Sequence, residues 1–181
     1  MRFTTLILFF IATLSCSAQK HTPVDQGSKV HFVIKNFGIG TGGDFKGIKG
    51  EINFDTLRPA SSFFNVSIAV KTIDTDNNLR DNDLRSKDYF DEQKFPEIKL
   101  TSSRIDKTNK SGNGYYYFTG NLVIKGISKP ISFPFLAEKS GNGFLFTGDF
   151  TINRLDFGVG ETSMVLANKV IVSLKVFAKQ M

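Results

Sequence analysis

Cysteine occurs once in the chain, at Cys16, histidine twice, at His21 and His31, and tryptophan not at all. A single thiol excludes a disulfide framework. The sequence also lacks a His-Glu-x-x-His metal motif, a Gly-x-Ser-x-Gly nucleophile elbow and a phosphate-binding loop. Enzymes built on a metal, a cysteine or serine nucleophile, or a bound nucleotide therefore have no foothold, and no cofactor or metal is implied. No basic cluster with interleaved aromatic residues is present, so a nucleic-acid groove is not expected. The formal net charge of +6 is spread as single lysines between apolar residues. Such a dispersed excess predicts solubility and a mild, transient attraction to anionic membrane surfaces. No low-complexity tract or internal linker interrupts the sequence, and its length suits one domain with one core.

The start of the chain differs from the rest. Arg2 is followed by an apolar run from Leu6 to Leu14, broken only by Thr13, and then by the small residues Ser15, Cys16, Ser17 and Ala18. The run is too short for a membrane span and has the flanks of a secretory signal. Residues 1–18 are thus read as a signal peptide and 19–181 as one exported domain, periplasmic or secreted. The alternative is lipoprotein processing before Cys16, whose acylated thiol would anchor the protein. Thr13, where such signals usually carry leucine, argues against it.

Beyond the leader the dominant signal is alternation. Residues 29–36 place Val30, Phe32 and Ile34 on one face of a half-buried strand and His31 on the more polar face. His21 falls in a segment read as a flexible N-terminal tail. The glycine-rich run from Gly38 to Gly43 reads as a turn or a barrel bend. Further strands are expected over 44–54, 62–73, 97–105, 115–125, 130–137, 144–152 and 169–178, with Pro134 marking an edge or a bulge. Eight antiparallel strands with one short helical insertion close into a barrel wide enough for one small ligand. Phenylalanine is abundant, at 19 residues, and only Phe3, Phe9 and Phe10 fall in the leader. Phe32, Ile34, Ile68, Val70, Phe133, Phe135, Phe146, Phe150, Val172 and Leu174 are assigned to the barrel interior. Two readings stay open: a core filled by its own side chains, or a tunnel lined with phenylalanine and branched aliphatics that suits a branched hydrocarbon chain.

The stretch from Ile73 to Asp91 departs furthest from this pattern. It is dense in Asp, Asn and Arg, yet Leu79, Leu84, Tyr89 and Phe90 are spaced to touch a common surface. Asp74, Asp76 and Asn78 resemble the opening of a calcium loop, but Leu79 stands where the loop needs glycine and Arg85 where it needs a bidentate glutamate. A short helix fits better, N-capped from the Asp74 to Asn78 region, with Asp and Arg side chains satisfying each other and nearby amides. This segment would cross from one strand to the next over an open barrel end and close it like a lid.

The residues Asp74, Thr75, Asn77, Arg80, Asp81, Leu84, Arg85, Ser86, Asp88, Tyr89, Phe90 and Asp91, followed by Phe95-Pro96-Glu97-Ile98, resemble the signature of the YceI-like family. Gly120-Asn121-Leu122-Val123-Ile124-Lys125-Gly126-Ile127-Ser128-Lys129-Pro130 resembles a second motif of that family, and Asn153-Arg154-Leu155-Asp156-Phe157-Gly158 a third. The resemblance covers about Lys29 to Ala178. It implies a lipocalin-like barrel that binds a hydrophobic lipid, a polyisoprenoid, a quinone or a fatty-acid derivative, without catalysis. Asp74, Thr75, Arg80, Asp81, Leu84, Asp88, Phe90, Arg154 and Asp156 are then motif residues of structural role. Arg154 and Asp156 are expected in an ion pair with the polar segment, with a phosphate as the alternative partner of Arg154. Two other functions are weighed beside lipid carriage: a periplasmic stress or scaffold protein with a self-filled barrel, and a hydrolase using the carboxylates of the polar segment.

Overall fold

The computed structural model describes residues 19–108 and 112–181, so the predicted signal peptide and Cys16 lie outside the described residues. The strands are β1 (Gln19–Asn36), β2 (Ile39–Phe45), β3 (Lys49–Phe54), β4 (Phe63–Ala69), β5 (Glu97–Lys107), β6 (Tyr115–Ile124), β7 (Ile127–Ser140), β8 (Gly143–Asn153) and β9 (Leu166–Gln180). All pairings are antiparallel, and β9 pairs back onto β1. The opposite edge of β1 is shared: its first residues pair with β3 and its last with β2. β2 and β3 thus succeed each other in one ring position, and the nine strands close an eight-membered barrel. Among the described residues the one α-helix, α1 (Asn78–Arg85), lies between β4 and β5. The closed antiparallel ring with one helical insertion is the barrel that the alternation predicts, and its lipocalin-like form is what the family resemblance implies; one expected strand is divided into β2 and β3.

Several strand expectations are corrected, among them the strand over 62–73, which ends at Ala69. The supposed N-terminal tail is the first part of β1, and His21 is 1% exposed, pairing with Ile52 on one side and Gln180 on the other. The run from Gly38 to Gly43 is a turn only at its start; Gly40, Gly42 and Gly43 are ladder residues of β2. The single strand over 44–54 breaks at Lys46-Gly47-Ile48. There the backbone amides turn to side chains: Gly47 and Ile48 donate to the Asp25 carboxylate at 2.9 Å, and Lys46 donates to Thr72 Oγ1 at 3.1 Å. Satisfied in this way, the break costs no buried hydrogen bond. The edge expected at Pro134 is present, since β7 pairs with β8 only from Phe135 onward and pairs upstream with β6 alone. Pro130 and Pro134 lack an N–H, so they forfeit nothing there.

The barrel interior has two unlike halves. One is solid. Phe54, Phe64, Phe118, Phe133, Phe135 and Phe146 pack with Ile52, Ile105, Tyr116 and Ala178 into a continuous buried cluster. Phe54 meets Tyr116 edge-on at 4.9 Å and Phe146 at 5.2 Å, while Phe118 stacks on Phe133 at 4.9 Å. Each such pair contributes about 0.5–1.5 kcal/mol beyond burial. The other half is hollow, and it lies under α1.

Candidate functional site

A cavity of 310 Å³ occupies the hollow half. Its walls come from alternate residues of the strands: Phe32 and Ile34 from β1, Ile68 from β4, Phe150 from β8, Val172 and Leu174 from β9. Most of these point inward yet are only half-buried, because the space they face is open at one end. Phe45, Ile98, Leu100, Leu122, Ile152 and Phe157 complete much of the lining. The alternation of their strands contains the signal for Ile98, Leu100 and Leu122. Phe45 was hidden because the chain breaks directly after it.

Four residues assigned to the lining belong elsewhere. Phe133, Phe135 and Phe146 face inward but are part of the solid half, where ring-on-ring packing leaves no space. Val70 is 1% exposed and sits in a 3-10 turn, Val70–Thr72, after β4 has ended, so period two no longer directs its side chain. The interior is therefore filled at one end and open at the other, which divides the two readings of the phenylalanines between its halves.

The polar segment covers the open end. Asn77 caps α1 by accepting from the Arg80 amide at 3.1 Å. Asp81 is buried, and its Oδ1 accepts from the Thr75 amide at 3.0 Å and the Thr75 hydroxyl at 2.5 Å. That hydroxyl in turn accepts from Arg80 Nε at 2.8 Å, while Arg80 Nη2 donates to the Thr75 carbonyl. The expected mutual satisfaction of Asp and Arg thus runs through Thr75. Arg80, Asp83, Leu84, Tyr89 and Phe90 face the cavity. Leu79 does not join them; at 79% exposed it points to solvent from the outer side of the helix. Asp74 is tied to β2 by a two-way backbone bridge with Asp44, and to Lys46 just beyond that strand by an ion pair at 3.6 Å.

Among the described residues the ion pair expected of Arg154 is not made. Arg154 is 4% exposed and donates to the carbonyls of Val159 (2.8 Å), Glu161 (2.7 Å), Ala167 (3.0 Å) and Leu166 (3.5 Å), and to Asn168 Oδ1 at 3.2 Å. A fork of five N–H groups suits a ring of carbonyls better than one carboxylate would. Asp156 is exposed, on a 3-10 turn spanning Arg154–Phe157. The motifs do meet, but through the backbone: the Gly160 amide donates to the Asp88 carbonyl at 2.9 Å, and Lys125 Nζ donates to the carbonyls of Gly158 at 2.8 Å and Asp88 at 3.3 Å. His31, expected on the solvent side, is half-buried at the cavity edge with Nδ1 2.6 Å from Asp44 Oδ1.

Comparison with known proteins places this architecture. A UPF0312 protein of Photorhabdus laumondii is 40% identical over 101 residues, a match spanning 56% of this chain and half the length of that relative. The crystal structure of BcnA from Burkholderia cenocepacia is similar with a TM-score of 0.78 and 27% identity, covering 84% of this chain and 96% of that one. A polyisoprenoid binding domain from Saccharophagus degradans, implicated in plant cell wall breakdown, shares the fold with a TM-score of 0.70 at 12% identity, over 91% of this chain and 99% of that one. The model of the YceI-like domain matches residues 22–178, nearly the whole of the barrel and its lid, and the chain belongs to the YceI-like family.

Proposed function

We propose that the protein binds a long-chain amphiphilic lipid, a polyisoprenoid or an isoprenoid quinone, in the hollow half of its barrel and carries or stores it without chemistry. The observation that carries this reading is the apolar, one-ended cavity beneath the α1 lid, walled by Phe32, Ile34, Ile68, Phe150, Val172 and Leu174. The fold shared with a polyisoprenoid binding domain supports it. Burial is worth about 0.8 kcal/mol per methylene, so a hydrocarbon chain draws most of its affinity from these walls. Large ligands realise only about 0.3 kcal/mol per atom, so selectivity rests on chain length and shape. A polar head would stay at the mouth, where Arg80 keeps Nη1 free among the described residues. The sequence of residues 1–18 supports export to the periplasm or beyond, with acylation at Cys16 as the alternative.

The test is native mass spectrometry of the protein exported by a bacterial host, repeated after organic extraction. A stoichiometric isoprenoid or quinone is expected, and its loss is expected in Val172→Trp, which fills the cavity. A protein that arrives empty and refuses added farnesol and ubiquinone would overturn the carrier reading in favour of a scaffold acting through its surface. The denatured mass of the same sample reads whether the chain starts at Gln19 or at an acylated Cys16.

A further inference from the structure

The rim of the open end bears a group of side chains that the cavity does not explain. Phe37 and Gly38 form the two-residue turn between β1 and β2, both in the left-handed region with φ of 50° and 77°. Turns of this geometry favour Asn-Gly or Asp-Gly, and a bulky residue at the first position is strained. The Phe37 ring gains little from the protein in return, being 75% exposed. A second turn with the same pattern, Lys125-Gly126 at 50° and 74°, offers a contrast, for there Lys125 is held by the carbonyls of Gly158 and Asp88.

The exposed ring has company. Ile39, across the turn, is 71% exposed, and the Phe37 amide donates at 2.9 Å to the carbonyl of Val165, in a loop where Met164 is fully exposed and Val165 39% exposed. Two separate segments thus project apolar side chains side by side. The next pair inward, Asn36 and Leu166, lines the cavity, so the projection is the rim of the mouth itself. Lys35 and Lys169 flank it, exposed and in no ion pair among the described residues, as is true of several other surface lysines. Glu161 is the acidic residue on the same loop.

We propose that this rim docks on a lipid bilayer, with Phe37, Ile39, Met164 and Val165 entering the headgroup region and Lys35 and Lys169 meeting anionic headgroups, so that the cavity mouth faces the membrane. Protruding apolar tips beside free cations suit an anionic lipid interface, which pairs an apolar interior with negative charge. The inference rests on the lipid reading of the cavity for its purpose, while its observations belong to the rim alone.

Sedimentation of the purified protein with vesicles of phosphatidylethanolamine and phosphatidylglycerol tests it. Binding is expected, weaker on phosphatidylcholine vesicles and weaker at high salt. Phe37→Asn should lower the partition onto vesicles about tenfold, since a ring that would be buried in lipid is lost. The same change should leave the melting temperature equal or higher, because asparagine suits the left-handed turn. Met164→Gln, on a fully exposed side chain, should lower binding with no change in melting. Vesicle binding absent in the unaltered protein, or undiminished in both variants, would overturn the proposal. Retention of ubiquinone in solution, measured alongside, separates the two readings. Retention without vesicle binding sinks the docking rim alone, and vesicle binding without retention sinks the carrier reading while the rim stands.

Discussion

His21 and Arg154 show how much single polar residues decide here. His21 is enclosed between β3 and β9 with its ring edge-on to Phe144 at 5.4 Å and with Nδ1 unpaired among the described residues. Burial holds its pKa below the ordinary 6.5, against the smaller opposing pull of the Gln19 and Ile52 carbonyls. The unfolded chain therefore takes up this proton before the folded protein does. The stability tied to the neutral ring is complete above about pH 6.5 and is lost as the pH falls below it towards the lowered folded value. Urea denaturation from pH 7.5 to 5 should show this loss, and His21→Phe should flatten the profile. Arg154 holds four carbonyls and an amide oxygen from one loop and the start of β9. Arg154→Lys keeps the charge but not the fork, and should cost about 3 kcal/mol by orphaning buried acceptors. Denaturant titration reads that loss.

At the scale of the element, the lid is a short helix held mainly by its approach. Eight residues of α1 cannot stand alone in water, so the Thr75–Asp81 contacts and the Asn77 cap fix it. Asp81→Ala should loosen α1 by about 2 kcal/mol, visible as faster amide exchange over 78–85 while the barrel amides stay protected. Gly160 secures the other margin. At φ of +67°, a Cβ would lie 2.9 Å from both Arg154 Nη1 and Tyr89 Cε1, so Gly160→Ala should cost about 1–3 kcal/mol in a melting experiment. The sequence makes the helix, its cap and the later strands legible, because their signals are local: alternation, an Asn before the helix, Gly126 in a turn. It hides the break between β2 and β3, whose amides are satisfied by Asp25 and Thr72 more than twenty residues away. It also hides the role of Arg154, because backbone carbonyls leave no trace in side-chain composition. Leu79 misleads for a related reason: helical spacing alone does not say which side of the lid meets the cavity.

For the molecule as a whole, alternation along each strand reveals what faces inward but not how far the interior is packed. Phe133 and Phe150 are neighbours at 4.8 Å, yet Phe133 belongs to the solid half while Phe150 lines the cavity. Phe133→Ala should therefore act twice. Loss of the ring should lower stability by about 3–5 kcal/mol, and the vacated space should lengthen the cavity. Extracted lipid from that variant is expected to shift towards longer chains, which mass spectrometry can read directly. On the proposed lipid reading, the solid half of the barrel would act as a stop. A hydrocarbon would enter tail first and advance only to the stacked rings, so that cargo would be gauged by depth. A chain exceeding that depth would keep its remaining units and its head outside the mouth, within reach of whatever delivers or receives it.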